Sequence, residues 1–333
     1  MTFEGIINDI NNRVFKPVYI LQGEEPYFID QITERLMNGI LDEMQKAFNL
    51  NILYGKDTDV PSIDNMARRF PMGADYTVVI VKEAQSISGI EDLQYYVSNP
   101  SESSILVIAY KYKTLDKRKK LYKAAKKTGV IFESKKIYDN KVPRWIHNYL
   151  ASRKISIEPS AGVILTEYLG NDLAKISNEL DKLILTLPEG DSKIASDHIE
   201  KNIGISKDYN NFELMKALAK KNVLKANRIV QYFGSNQKLN HINQTISSLY
   251  YFFSKVLALH FMQSDSNREI ASTLQINPYF VQDYQQAARN YSRSKVVEII
   301  SILREFDLKS KGFGNPSVPA DELLQEMIFK ILH

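Results

Sequence analysis

The residues with the clearest chemical pattern stand in "VYILQGEEPYFIDQI", Val18 to Ile32. An apolar strand, a glycine and an amphipathic helix are the setting of a phosphate-binding loop. There, backbone amides and a lysine hold phosphates, and a hydroxyl holds magnesium. With Gly23 as first glycine of GxxxxGK(S/T), the template needs Gly, Lys and Ser/Thr at positions 28, 29 and 30. The chain has Phe28, Ile29 and Asp30 instead, and Glu24 and Glu25 put negative charge in the loop. On this stretch alone, a plain strand–turn–helix is the competing reading. A second frame, "VVIVKEAQSI" from Val78 to Ile87, has the form of a Walker B strand, apolar residues followed by an acidic pair. Here the pair is Lys82–Glu83, and a lysine in place of magnesium's carboxylate repels the metal. No other catalytic constellation emerges. The five histidines, at 147, 198, 241, 260 and 333, lack metal-ligand spacing, and the absence of cysteine removes thiol nucleophiles, Cys-ligated zinc and disulfides.

The elements that must position these residues change character along the chain. Up to about residue 140, the runs "PVYIL", "FNLNILYG", "YTVVIVKE", "SSILVIAY" and "GVIFES" alternate with helical stretches. Short, nearly continuous apolar runs are the signature of parallel strands buried on both faces, so this part reads as α/β. Beyond it the strands stop. Residues 141–207 read as short amphipathic helices, and "GISKDYNN" is a polar hinge. From 208 to 333 the apolar positions keep helical spacing, as in "HINQTISSLYYFFSKVLALHFM". A length of 333 residues suits two or three domains, and a net charge of +4 makes any attraction to nucleic acid regional. The N-terminus has no basic region followed by an apolar block, and no apolar run approaches a membrane span. The expectation is a cytoplasmic protein without a membrane partner.

Two degraded nucleotide motifs in the right order, a third strand with its loop at "SSILVIAYKYKTLDKRKK" and a helical lid read as an AAA+-like module that does not hydrolyse ATP. Over essentially its whole length the chain then resembles the delta-subunit family of the bacterial DNA polymerase III clamp loader. The resemblance is carried by "VYILQGEEPYFIDQI", "ARRFPMGADYTVVIVKEA" and "LDKRKKLYKAAKKTG". It continues in "VPRWI" and "GNDLAKISNELDKL", and then in "NPYFVQDYQQAARNYS" and "LREFDLKSKG". The companion delta-prime family matches poorly, because it carries a cysteine-bearing zinc module and a Ser-Arg-Cys motif.

The resemblance implies an AAA+-like clamp-binding domain at 1–140, a small helical lid at 141–207 and an all-helical collar for oligomerisation at 208–333. It implies a subunit that binds the sliding clamp and opens its ring for loading on primed DNA. ATP and magnesium would be held by partner ATPase subunits, which together with delta-prime meet this chain through the collar. No cofactor, metal or catalytic residue is expected here. The family's apolar clamp-binding pair aligns with Pro71 and Met72, with Phe70 beside them and Arg68 and Arg69 at the rim. An exposed aromatic and a flexible thioether make a small hot spot, and Pro71 stops the helix and fixes their presentation. The alternative packs Phe70 inward and exposes Met72 only.

Three further stretches carry competing readings. "KYKTLDKRKKLYKAAKKTG" holds nine Lys/Arg and one acid between Lys111 and Lys127, either a phosphate contact or, preferably, a solvated helix face. In "DLKSKGFGNPS", Lys309, Lys311 and Phe313 are candidate DNA contacts, with the aromatic ring stacking on an unpaired base. The alternative is a helix-connecting loop. "EIASTLQINPYFVQDYQQAAR" has the spacing of a helix–turn–helix but only Arg289 as a base-reading cation, so two bundle helices are the better reading. An active AAA+ ATPase of helicase-loader type and a helix–turn–helix regulator are the rival functions.

Overall fold

A computed structural model describes the chain except residues 139–140, 189, 205, 207, 238–239, 264–265 and 315–317, and the side chain of residue 167. The expected boundaries at 140 and 207 fall outside the described residues. The chain forms two compact units, Met1–Ile137 and Tyr138–His333.

The first unit contains α1 (Phe3–Asn11), β1 (Val18–Gly23), α2 (Pro26–Gly39), α3 (Glu43–Asn49), β2 (Leu50–Tyr54) and α4 (Val60–Ala67). It continues through β3 (Thr77–Lys82), α5 (Gln94–Ser98), β4 (Ser104–Lys111), α6 (Lys120–Thr128) and β5 (Val130–Ser134). The five strands pair in parallel in the order β2-β3-β4-β1-β5. Alternate residues feed two cores. Val18, Ile20, Val79, Val81, Leu106 and Ile108 enter one, and Tyr19, Leu21, Val78, Ile80, Ile105 and Val107 enter the other. Double-sided burial explains why these strands read as unbroken apolar runs. One expected boundary moves: α3 runs through Asn49, so Phe48 and Asn49 are helical and the strand begins at Leu50. Asp42 and Gln45 form a capping box that starts this helix early enough to include them.

The second unit contains α7 (Val142–Ala151), β6 (Ser156–Ile157), α8 (Pro159–Leu169), α9 (Leu173–Leu185), β7 (Lys193–Ile194) and α10 (Ser196–Ile203). It then runs through α11 (Asn211–Ala219), α12 (Val223–Ser235), α13 (Ile242–Leu259), α14 (Asn267–Leu274), α15 (Val281–Asn290), α16 (Arg293–Ser310) and α17 (Ala320–Leu332). Strands do not stop after the first unit. β6 and β7 form a parallel pair, with Ser156 opposite Lys193 and Ile157 opposite Ile194. Two residues are too few to show a period of two, which is why sequence pattern misses them. The core of the remaining helices gathers Phe233, Phe252, Phe253, Phe306, Met327 and their neighbours. Among the described residues no helix is long and apolar enough to cross a membrane.

Candidate functional site

At the degenerate phosphate loop, the connection itself is short as well as stripped of its side chains. Only Glu24 and Glu25 separate β1 from α2, so positions 28 to 30 lie inside the helix. Phe28 packs edge-on against Phe3 at 5.0 Å, and Ile29 is fully buried in the core. The N-terminus of α2, where a phosphate would bind, is closed by the chain's own carboxylate. Buried Glu25 accepts from the Tyr27 amide at 3.1 Å. Gly23 serves another purpose than approach to a phosphate. A Cβ there would lie 2.0 Å from the Ser134 carbonyl oxygen at the end of β5.

The corner that would hold magnesium is occupied by a lysine, and this lysine is Lys111 at the end of β4, not Lys82. Its ammonium lies 2.8 Å from Asp30, which stands at the Ser/Thr position, and 3.2 Å from Glu83 of the Walker B-like pair. Gln85 supports the corner, accepting from the Lys111 amide at 3.0 Å and donating to Glu83. Burial lowers the affinity of Lys111 for its proton, but the bonds and charges of Asp30 and Glu83 outweigh this and push it above the usual lysine range. Burial likewise raises Glu83, and the bonds from Gln85 and Lys111 hold it below the usual carboxylate range. The chain carries its own cation between the two acids. Among the described residues no cluster of His, Cys, Asp or Glu is arranged to hold a metal.

The apolar tip follows α4. Asp59 caps the helix start through the Ser62 amide at 2.9 Å, and the helix ends at Ala67, ahead of Pro71. Phe70 is 87% exposed and Met72 66%, while Pro71 is half-buried between them. The inward-packed alternative for Phe70 is therefore not what the fold adopts. Arg68 and Arg69 are exposed beside the tip, Arg68 paired with Asp64 at 2.9 Å. Sequence reasoning overlooked α3. Its Asn49 bonds both backbone groups of Met72, and its Met44 and Phe48 are exposed apolar residues on the same helix. The i, i+4 spacing of Met44 and Phe48 in an exposed helix was the available signal.

In the second unit, α16 ends in a two-bond glycine cap. The Phe313 amide reaches back to the Leu308 carbonyl and the Gly312 amide to that of Lys309, both at 3.0 Å, with Gly312 at φ 88°. This cap presents Phe313 at 67% exposure. Lys309 and Lys311 are each paired one turn back, with Glu305 and Asp307 at 2.7 Å. Residues 315–317 of the same stretch lie outside the described residues. In the basic run, α6 buries Leu121 and Ala125, and Lys117 and Arg118 pair with Glu133 and Asp116. Helix α15 buries Val281, Tyr284 and Ala287 and leaves Gln282 and Arg289 exposed.

Residues 19–135 match the family described as DNA polymerase III, delta subunit, and residues 208–325 match the DNA polymerase III delta subunit, C-terminal domain. A DNA polymerase III subunit delta from Bacillus subtilis (strain 168) is 25% identical over 311 residues, covering 89% of this chain and 88% of that protein. The solved structure of the Bacillus subtilis DNA clamp loader delta protein aligns over 99% of each chain, with a TM-score of 0.54 and 22% identity.

Proposed function

Because the chain belongs to the DNA polymerase III delta-subunit family, we propose that it is the clamp-opening arm of a clamp loader. The first unit docks on the sliding clamp through Phe70, Pro71 and Met72, and the ring is opened for loading on primed DNA. The observation that carries this reading is the exposed apolar tip, two large side chains held in water just after a helix end. Opening requires no catalysis by this chain. A bound arm shifts the ring between closed and open forms by its differential affinity for the two.

The built-in Asp30–Lys111–Glu83 corner and the two-residue loop support a subunit that neither binds nor hydrolyses ATP. Nucleotide and magnesium belong to partner subunits in this reading, and the family makes the other loader subunits its partners. Residues 141–207 act as lid and 208–333 as the collar that joins the assembly, and the protein works in the cytoplasm. The rival ATPase reading predicts saturable binding of labelled ATP, which these substitutions oppose.

The test is titration of this chain, without ATP, with the sliding clamp of the same organism. The Phe70→Ala/Met72→Ala double variant removes two anchors of about 2 kcal/mol each and is expected to weaken binding roughly a thousandfold. Binding that survives the double variant moves the contact elsewhere, and no binding by wild type sinks the reading.

A further inference from the structure

The tip is exposed on its apolar side chains and held on its backbone, and one buried side chain holds both backbone groups of Met72. Asn49, at the last turn of α3, is 1% exposed. Its Oδ1 accepts from the Met72 amide at 2.7 Å, and its Nδ2 donates to the Met72 carbonyl at 3.0 Å. The second Nδ2 hydrogen goes to the Gln45 carbonyl at 3.0 Å. A carboxamide offers the same donor and acceptor pair as a peptide unit, so Asn49 pairs with Met72 as a neighbouring strand would. Local helix capping accounts only for the Gln45 bond. The two bonds to Met72 span 23 residues and serve the tip.

Weaker ties surround this one. Gln45, oriented by its capping box with Asp42, donates to the Gly73 carbonyl at 3.3 Å. Thr77 donates to the Arg69 carbonyl and the buried Tyr96 hydroxyl to that of Ala67, both at 3.2 Å. The backbone from 67 to 73 is thus fixed at four points by side chains from outside it. Phe70 and Met72 gain nothing from this order within their own chain, since both face water. Order in an exposed apolar segment favours association, because the backbone entropy is lost before the partner arrives.

We propose that Asn49 is the positioning residue of the partner-binding tip, locking Met72 in its docking conformation; this rests on the clamp-binding reading above. Asn49 does not touch the clamp. It acts through Met72 and sets the relative placement of Met72 and Phe70 on either side of Pro71.

The test combines clamp binding with a readout that needs no partner. Wild type, Asn49→Ala and Phe70→Ala/Met72→Ala are titrated with the sliding clamp of the same organism. Hydrogen exchange over residues 70–73 and trypsin cleavage after Arg68 and Arg69 are followed in the free chain. Asn49→Ala is expected to bind roughly tenfold to a hundredfold more weakly, equivalent to about 1.4–2.8 kcal/mol. It should also exchange and be cleaved faster, with global unfolding still cooperative. If Asn49→Ala gives no folded chain, Asn49→Asp replaces it, keeping the shape while losing the Nδ2 donor. Unchanged exchange and cleavage overturn the lock, whatever the clamp titration gives. Wild-type affinity in Asn49→Ala, with binding lost in Phe70→Ala/Met72→Ala, overturns the positioning role and keeps the tip. A clamp that wild type does not bind removes the underlying reading and the positioning role with it.

Discussion

Lys111 fills the corner beside a phosphate loop that is already short and capped by Glu25. Its ammonium sits between Asp30, at the Ser/Thr position of the phosphate-loop template, and Glu83, the second residue of the Walker B-like pair. Lys111→Met would leave two partly exposed carboxylates facing each other without the cation. With both acids more than a third exposed and screened by water, the expected cost is about 1–2 kcal/mol, measured by urea denaturation at neutral pH. The pH dependence follows from the directions of the shifts. Glu83 is depressed in the fold, so its contribution is complete above the ordinary value of 4.5 and is lost as pH falls through the folded value. Lys111 is raised, so its contribution is complete below the ordinary value of 10.5 and is lost as pH rises through the folded value. Lys111→Met should therefore show shallower acid and alkaline losses than wild type. Equal stability and equal pH limbs in the two proteins would mean that the corner is electrostatically idle.

At the scale of elements, Gly23 lets the ends of β1 and β5 lie side by side. Gly23 has φ 128°, and a Cβ would stand 2.0 Å from the Ser134 oxygen and 2.7 Å from its nitrogen. Gly23→Ala must push the strand ends apart and break the bond from the Glu24 amide to the Ser134 carbonyl, now 2.9 Å. The expected cost is about 3 kcal/mol or more, read as a lowered denaturation midpoint of the chain. A midpoint unchanged within error would show that the strand ends yield freely. Sequence pattern identified Gly23 as special and assigned it to a phosphate loop. The sheet assigns it to strand packing, because β1 and β5 become neighbours only after the chain has folded. The same limit governs the rest of the comparison. Five parallel strands were legible because burial on both faces leaves continuous apolar runs in the chain. The loss of phosphate-holding groups was legible because it is local. The Lys111 corner was not, since residues 30, 83 and 111 converge only through parallel topology. The tip residues were found by resemblance, while their exposure and the grip of Asn49 depend on packing that no local period records.

At the scale of the whole molecule, the candidate contacts divide between the two units, the exposed apolar tip proposed to meet the clamp in the first and Phe313 in the second. In the second unit, the two lysines and the aromatic ring differ in what salt should do to them. Lys309 and Lys311 are matched by Glu305 and Asp307 on the same helix, so the end of α16 gives little net attraction for phosphate. Phe313 carries no such compensation and stands out from its glycine cap. Stacking on an unpaired base is worth about 1–3 kcal/mol and is insensitive to charge, whereas each phosphate contact adds about one to the salt slope. In a loader reassembled with its partner subunits on primed template, Phe313→Ala should weaken DNA binding roughly tenfold with the salt slope intact. Lys309→Ala and Lys311→Ala should leave both affinity and slope nearly unchanged, because their charges are already spent on the helix. A slope that falls by about one in either lysine variant would show that DNA draws the ammonium away from its carboxylate, and the contact would then be electrostatic. Full affinity in Phe313→Ala would take the aromatic ring out of the DNA path and leave the cap as the end of a helix.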